Sequence, residues 1–229
     1  MDKALNAKQR AGEKSVEYVE EGMTLGLGTG STAYWMVERL GERVREGLRV
    51  RCVPTSRRTE EQARALGIPL VTFDEVQQLD LTIDGADEIG PGLALIKGGG
   101  GALLREKLVA AASRRMIVVA DAGKRVSTLG RFPLPVEVVP FAWEVTARRV
   151  ERVTGVEPVM RRAGADPYVT DNGNYILDCG CGTIEDPART ERELKLLPGV
   201  VECGLFVGMA DLAILAGDDG ELEILERRA

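Results

Sequence analysis

The chain has 229 residues, 44% of them hydrophobic and 29% charged, which is enough to bury a sizeable core in a large domain with a smaller companion. Its formal net charge of -6 argues against nucleic-acid or anionic-membrane partners, because both require basic patches. The chain contains no histidine, which excludes histidine-based triads and the usual zinc sites. Proton transfer must therefore use Asp, Glu, Lys, Cys or Tyr.

The first residues form a charged amphipathic stretch, and no apolar run approaches the 18 residues of a membrane helix. We therefore expect a cytoplasmic protein without a membrane partner. Among the four cysteines only Cys179 and Cys181 are close in sequence. A metal site there is one interpretation, but buried or surface thiols are the expectation, since no second close pair is present.

Apolar, β-rich runs alternate with helical patterns through the first 120 residues. This alternation predicts a doubly wound, mostly parallel, Rossmann-like α/β sheet with helices on both faces. The predicted helices cover 4–20, 31–46, 57–66 and 101–113, and the predicted strands cover 23–26, 49–54, 69–72, 80–84, 93–96 and 116–120.

The rhythm changes at Arg131–Pro135, where two prolines break regular structure. We expect a smaller α+β domain over 132–204, with 1–131 and 205–229 forming the main domain. The predicted strands of the smaller domain are 135–139, 156–162, 175–179 and 200–203, and its predicted helices are 142–153 and 186–196. The strands predicted near 204–207, 212–215 and 222–225 return to the main sheet.

The first chemical motif, Gly26–Ala33, lies between a strand and a helix. Its glycines permit a tight turn, while Ser31 and Thr32 offer hydroxyls beside free helix-start amides, which suits a phosphate. A simple strand-to-helix cap is the alternative. A dinucleotide site is disfavoured, because no acidic residue closes the next strand near Pro54.

The second motif places Asp84 and Asp87 at the end of a buried strand, where open α/β sheets bind ligands. Asp side chains that cap a turn are the alternative. The adjacent Glu88 is expected to point elsewhere and to be solvated.

The third motif runs from Lys97 through four glycines to Lys107. A lysine that ends a buried run needs a negative partner, and bare glycine amides before a helix can approach an anion. A surface lysine is the alternative. Arg105 and Lys107 are expected on an ordinary charged helix face, and from the pattern alone Glu106 would be placed there too.

These motifs occur in a fixed order that resembles ribose-5-phosphate isomerase, type A. The resemblance continues through 170–174, 177–178 and 198–201 to 204–206, so it covers essentially the whole chain. The first five segments on which the resemblance rests are GTGSTA at 28–33, DGADE at 84–88, KGGGGALLREK at 97–107, DAGK at 121–124 and FPLPVE at 132–137.

The resemblance implies an enzyme that interconverts ribose 5-phosphate and ribulose 5-phosphate in the non-oxidative pentose phosphate pathway, without metal or cofactor. It implies that Glu106 moves a proton between C2 and C1 through an enediolate, and that Asp84 assists ring opening. Lys97 and the amides of the glycines that follow it would stabilise the enediolate oxygen. The implied substrate-binding residues are Thr29, Gly30, Ser31, Thr32, Asp84, Gly85, Ala86, Asp87, Lys97, Gly98, Gly99, Gly100 and Lys124.

The resemblance also implies a homodimer or dimer of dimers, with the site between strand ends and the neighbouring domain. Three other functions remain as alternatives. A sugar-phosphate sensor shares the general fold but should carry a basic helix-turn-helix extension. An acyl-CoA transferase would use a glutamate as nucleophile, and an amino-sugar-phosphate deaminase commonly relies on histidine.

Overall fold

A computed structural model describes residues 3–217 and 219–227. Its helices are α1 Lys3–Ser15, α2 Ala33–Arg45, α3 Arg57–Ala65, α4 Leu103–Ala111, α5 Trp143–Thr154 and α6 Pro187–Lys195. Its strands are β1 Thr24–Leu27, β2 Arg51–Pro54, β3 Leu81–Gly85, β4 Glu88–Ile89, β5 Leu95–Ile96, β6 Met116–Asp121, β7 Leu134–Val138, β8 Val159–Met160, β9 Arg162–Ala163, β10 Asp166–Pro167, β11 Tyr175–Cys179, β12 Val200–Cys203, β13 Leu205–Phe206, β14 Leu212–Ala216 and β15 Leu222–Glu226. Over these residues, no helix combines the length and apolar character needed to cross a membrane.

The chain divides into two compact units. The main unit takes in the chain through Ala86, then Arg105–Lys124, and the chain from Gly208 onward. The second unit consists of Asp87–Leu104 and Arg125–Val207. The predicted boundaries had placed 87–104 in the main domain. The structure groups it with the second unit because β5 in that segment pairs with β13.

The main unit is built on a six-stranded sheet in the order β15-β14-β6-β3-β1-β2. Every neighbouring pair is parallel except β14 and β15. Strands β1 and β14 are buried along their whole length, as expected for strands covered on both faces. The predicted doubly wound, mostly parallel α/β sheet is confirmed.

The order of the sheet brings β1 and β3 side by side, with Leu27 paired to Ile83. Residues that follow these two strands therefore leave the same edge of the sheet, because the strands are parallel. The core beneath that edge consists of Leu25, Leu27, Ile83 and residues of α2, including Met36 and Leu40.

Some predicted elements differ from the structure. The segment 69–72 is not a strand, since only Leu70 makes an isolated bridge with Cys52. Strand β13, predicted to return to the main sheet, instead pairs with β5 in a small ribbon of β13-β5-β4. Helix α4 begins at Leu103, two residues later than predicted, because Gly101 adopts a positive φ of 81° that a helix cannot contain.

The second unit contains a four-stranded sheet in the order β12-β7-β11-β8, in which every neighbouring pair is antiparallel. Strand β7 is buried at all five positions, and Val136, Val138 and Leu177 lie in the core of this unit. Helices α5 and α6 complete the smaller α+β unit that the sequence predicted.

Glu88 was expected to be solvated, and that expectation is wrong. Its side chain is 1% exposed, and its two carboxylate oxygens accept hydrogen bonds from the amides of Gly130 and Phe132 at 2.8 and 2.7 Å. The Arg131 guanidinium lies 3.8 Å away. The carboxylate is therefore the acceptor that organises the turn entering β7.

We expect Glu88→Ala to lower the free energy of unfolding by about 2–4 kcal/mol, because it leaves two backbone donors of a buried turn without their acceptor. Urea denaturation followed by circular dichroism measures this loss. A stability within about 0.5 kcal/mol of wild type would show that water replaces the carboxylate without cost.

Candidate active site

Asp84 is fixed at the end of β3 by backbone amides of the main unit. Its side chain is fully buried, and Oδ1 accepts hydrogen bonds from the Thr29 and Gly85 amides at 2.9 and 2.7 Å. A Cβ on Gly28 would overlap the Oδ1, Cγ and Cα atoms of Asp84. Glycine at position 28 thus allows the loop after β1 to approach the end of β3 this closely. The Gly26–Ala33 loop and the Asp84 motif therefore pack directly against each other.

A cluster of hydroxyl groups that the sequence did not reveal supports the Thr29 side chain. Its Oγ1 lies 2.7 Å from Thr55 Oγ1, 2.8 Å from Ser56 Oγ and 3.0 Å from Thr59 Oγ1. Thr59 Oγ1 also donates to the Gly28 carbonyl at 3.0 Å. The N-terminus of α3, capped by Ser56, therefore holds the loop after β1 in place.

The rest of the loop leads into α2. Gly30 has a φ of 130° and is exposed, as is Ser31, whereas Thr32 is 7% exposed. The Tyr34 amide donates to the Gly30 carbonyl at 2.9 Å, so the helical turn begins within the motif. Ser31 is therefore placed where an anion could bind at the positive end of the helix.

Glu106 lies in the first turn of α4 and is only 4% exposed, so the interpretation as a solvated charged face is wrong for this residue. Lys107 is also buried, at 6% exposure, while Leu108 is 57% exposed. The expected charged face is therefore wrong for Lys107 as well. Arg105 is half-buried.

The remaining predicted residues of the main unit are less enclosed. Gly85 ends β3, and Ala86 follows it; both are half-buried. Lys124 ends a short 3-10 turn after β6 and is half-buried. These positions follow the carboxyl ends of β3 and β6, which pair in parallel within the sheet.

Lys97 is a buried lysine of the second unit. Its side chain is 1% exposed, and Nζ lies 5.4 Å from the centre of the Phe206 ring, a cation–π distance. The alternative of a surface lysine is excluded. Its amide donates to the Gly204 carbonyl at 2.8 Å, which fixes the end of β5.

The glycine loop after Lys97 is tightly bound on one side. The Gly99 amide donates to Asp87 Oδ2 at 2.7 Å, and a Cβ on Gly99 would lie 2.6 Å from Asp87 Oδ1. The Gly101 amide closes a turn onto the Gly98 carbonyl at 3.0 Å. The structure thus brings Asp87 and Gly99 together, and this amide is engaged by a side chain.

The cysteines behave as buried thiols. Cys52, Cys179 and Cys203 are buried and Cys181 is half-buried. Burial raises the pKa of both the Cys52 and Cys179 thiols to about 12. Within the described residues, the side chains that lie close enough together to hold a metal ion are those of Glu191, Glu202 and Cys203, a group that does not contain the predicted Cys179 and Cys181 pair. Glu202 in this group forms an ion pair with Lys195 at 3.1 Å.

We expect iodoacetamide at pH 8 to alkylate Cys181 before Cys52, Cys179 or Cys203 in the folded protein. Burial raises the pKa of Cys181 as well, but its side chain is the most accessible of the four. At pH 8, far below their pKa of about 12, the Cys52 and Cys179 thiols hold little reactive thiolate, and the Cys203 side chain is fully buried. Peptide mass spectrometry measures the order, and first labelling at Cys52 would contradict it.

Comparison of this chain with known proteins found a family model and relatives that match it over most of its length. The family model of ribose 5-phosphate isomerase A (phosphoriboisomerase A) matches residues 51–220. Ribose-5-phosphate isomerase A of Bacillus mycoides is 52% identical over 217 residues, which are 94% of this chain and 98% of the relative. The chain belongs to the ribose 5-phosphate isomerase A family.

Solved structures agree with this family assignment. Ribose 5-phosphate isomerase from Plasmodium falciparum superposes with a TM-score of 0.94 at 38% identity and covers 98% of this chain and 100% of its own. A D-ribose-5-phosphate isomerase in complex with phospho-erythronic acid has a TM-score of 0.94 at 36% identity, with 99% and 100% coverage. The family confirms the resemblance and the Rossmann-like fold, and the sensor, transferase and deaminase alternatives are not favoured.

Within this family member, sequence reasoning missed the residues that hold the site in place. Thr55, Ser56 and Thr59 lie 26 to 30 positions beyond Thr29, and their sequence is that of an ordinary helix start. The one available signal was Ser56 three residues before Thr59, which indicates an N-cap but gives no partner.

Proposed function

We propose that this chain interconverts D-ribose 5-phosphate and D-ribulose 5-phosphate as a step of the non-oxidative pentose phosphate pathway. The observation that carries the proposal is the burial of Glu106, 4% exposed, in a member of this isomerase family that contains no histidine. A carboxylate shielded from water and placed at a helix N-terminus is suited to act as a base at carbon.

Glu106 is the proposed proton carrier. Its carboxylate removes the C2 proton of the open-chain aldose, the C2–H electron pair forms the C1–C2 double bond, and the carbonyl electrons move to O1. Return of the proton to C1 and transfer of the O2 proton to O1 give the ketose. A glutamate performs this kind of transfer in triosephosphate isomerase.

The proposed donors stabilise the negative charge that develops on the enediolate oxygen. Lys97 is 1% exposed, and a buried ammonium interacts strongly with an anion because water does not screen it. Of the glycine amides, Gly99 already donates to Asp87. We therefore assign the donor role to Lys97 with Gly98 and Gly100.

Asp84 and Asp87 are proposed to contact the sugar hydroxyls. The two amides that bind Asp84 Oδ1 hold this carboxylate in one orientation, which suits a group that assists opening of the furanose ring. The phosphate is assigned to the Thr29–Thr32 loop before α2, where the Ser31 hydroxyl and the positive end of the helix favour an anion, with Lys124 as a further contact.

The direct test is conversion of ribose 5-phosphate to ribulose 5-phosphate in the presence of EDTA, with ribose and glucosamine 6-phosphate as controls. The proposal expects turnover of the pentose phosphate alone. Saturable sugar-phosphate binding without turnover would instead support a sensor.

The chain is further proposed to act in the cytoplasm as a homodimer or a dimer of dimers. Exposed apolar side chains support assembly, since Phe141 is 89% and Leu196 77% exposed in the second unit, and Leu108 is 57% exposed in the main unit. Light scattering gives the mass in solution, and a monomer at micromolar concentration would contradict this part of the proposal.

A further inference from the structure

Arg161 is fixed between β8 and β9 of the second unit by contacts of both its backbone and its side chain. Its amide donates to the Ile176 carbonyl at 2.8 Å, and its carbonyl accepts from the Tyr168 amide at 2.9 Å. Its guanidinium forms a two-point ion pair with Asp178, Nε to Oδ2 at 2.9 Å and Nη2 to Oδ1 at 2.5 Å. A fork of this kind sets the plane and direction of the guanidinium.

The remaining guanidinium nitrogen reaches the glycine loop. Arg161 Nη1 donates to the Gly98 carbonyl at 2.8 Å and to the Gly99 carbonyl at 3.2 Å. The side chains of Arg161 and Asp178 are only 15% and 24% exposed, so this link is partly shielded from water. One cation thus fixes two successive peptide groups.

The direction of those carbonyls determines where the amides of the loop point. Among the described residues no peptide bond is cis, so each N–H lies on the side of its peptide opposite the C=O. The Gly99 N–H therefore points away from Arg161, and it donates to Asp87. The Gly100 N–H belongs to the peptide whose carbonyl is that of Gly99, so it too is directed away from Arg161.

We propose that Arg161, oriented by Asp178, is a positioning residue that aims the Gly100 amide at the enediolate oxygen and holds Asp87 through Gly99. The inference rests on the proposed function. A positive charge on the carbonyl side also polarises these peptides, which strengthens their N–H groups as donors.

A second observation supports this assignment: Tyr168, which follows the hairpin of β9 and β10, also packs against the glycine loop. A Cβ on Gly101 would lie 2.6 Å from Cε1 and Cζ of the Tyr168 ring, and the Gly101 φ of 81° disfavours any side chain there. An alanine at this position would require Tyr168 to move. In this chain the loop is therefore held by both Arg161 and Tyr168.

The test compares Arg161→Met, which keeps the length of the side chain and removes its donors, with Arg162→Met. Arg162 is the matched control, because it is exposed and its Nη1 donates to the Ala165 carbonyl of the same hairpin at 2.7 Å. We expect Arg161→Met to lower kcat about 10- to 100-fold with KM for ribose 5-phosphate changed less than about 3-fold, since the donor acts mainly in the transition state.

A second readout separates positioning from general stabilisation of the unit. Phospho-erythronic acid carries a carboxylate in place of the enediolate, and its affinity should fall in parallel with kcat in Arg161→Met. Asp178→Asn should give a smaller loss of the same kind, and Arg162→Met should match wild type. Unchanged kcat, or a lost kcat with full affinity for the acid, would overturn the inference.

Three further outcomes separate the role of Arg161 from the proposed function. If Arg161→Met does not fold, Arg161→Lys decides, because it keeps the charge and loses the fork; wild-type kcat and affinity for the acid in that variant would overturn the inference. If the wild-type chain itself does not isomerise ribose 5-phosphate, the proposed function fails. If wild type and Arg161→Met are equally active, the function stands and only the role of Arg161 fails.

Discussion

Replacement of Glu106 by glutamine is expected to lower kcat for ribose 5-phosphate by about 10²- to 10⁴-fold, the range that a general base contributes. Glutamine keeps the shape of the side chain and its place in the first turn of α4, so it removes the base while the surrounding packing is preserved. The KM for ribose 5-phosphate and the affinity for phospho-erythronic acid should change much less. Steady-state kinetics and calorimetry measure the two effects.

Glu144→Gln is the matched control, because Glu144 is an exposed glutamate in the first turn of α5. It should retain wild-type kcat. Turnover by Glu106→Gln within a few-fold of wild type would remove Glu106 from the mechanism. A loss of both folding and binding would instead assign Glu106 to structure.

Gly28→Ala is expected to lower kcat/KM about 100-fold, although the substitution adds one methyl group. That methyl would overlap Asp84, including its Cα, so either the loop after β1 or the end of β3 must shift. A displacement of about 1 Å at a reacting group is enough for such a loss. Overpacking should also lower the free energy of unfolding by about 1–3 kcal/mol.

Gly180→Ala provides the control, since no atom lies within 4 Å of the Cβ it would add and its φ is not in the left-handed range. It should match wild type in both kinetics and stability. Full activity of Gly28→Ala would mean that Asp84 tolerates displacement, which would contradict its proposed role in ring opening.

The strands of the main sheet could be predicted from the sequence because each is encoded by a continuous local run of apolar residues. Runs such as 116–120 and Leu212–Ala216 are apolar throughout, and both became buried strands that pair in parallel. Short elements were less predictable, since Leu205–Phe206 has only two residues in its ladder and its partner depends on the second unit. The segment 69–72 has a strand-like composition, but only Leu70 makes a bridge.

At the candidate site, the resemblance supplied the proposed reacting groups, of which Glu106 and Lys97 are buried, while some residues judged by pattern alone were misassigned. Glu88 and Lys107 looked like solvated charges, yet both are buried. Their environments are set by distant segments, such as the Gly130 amide 42 positions from Glu88. Arg161, 62 positions from Gly99, could not be connected to the loop by any local pattern.

The measurement that tests the central claim most directly is isomerisation of ribose 5-phosphate to equilibrium in D2O, followed by NMR at C1 and C2. Proton transfer by Glu106 through an enediolate predicts deuterium at these carbons, because the proton that Glu106 holds while the enediolate is bound exchanges with solvent before it returns to carbon. Glu106→Gln should incorporate none in the same time. Full conversion by wild type with no deuterium at either carbon would indicate direct hydride transfer and would contradict the account.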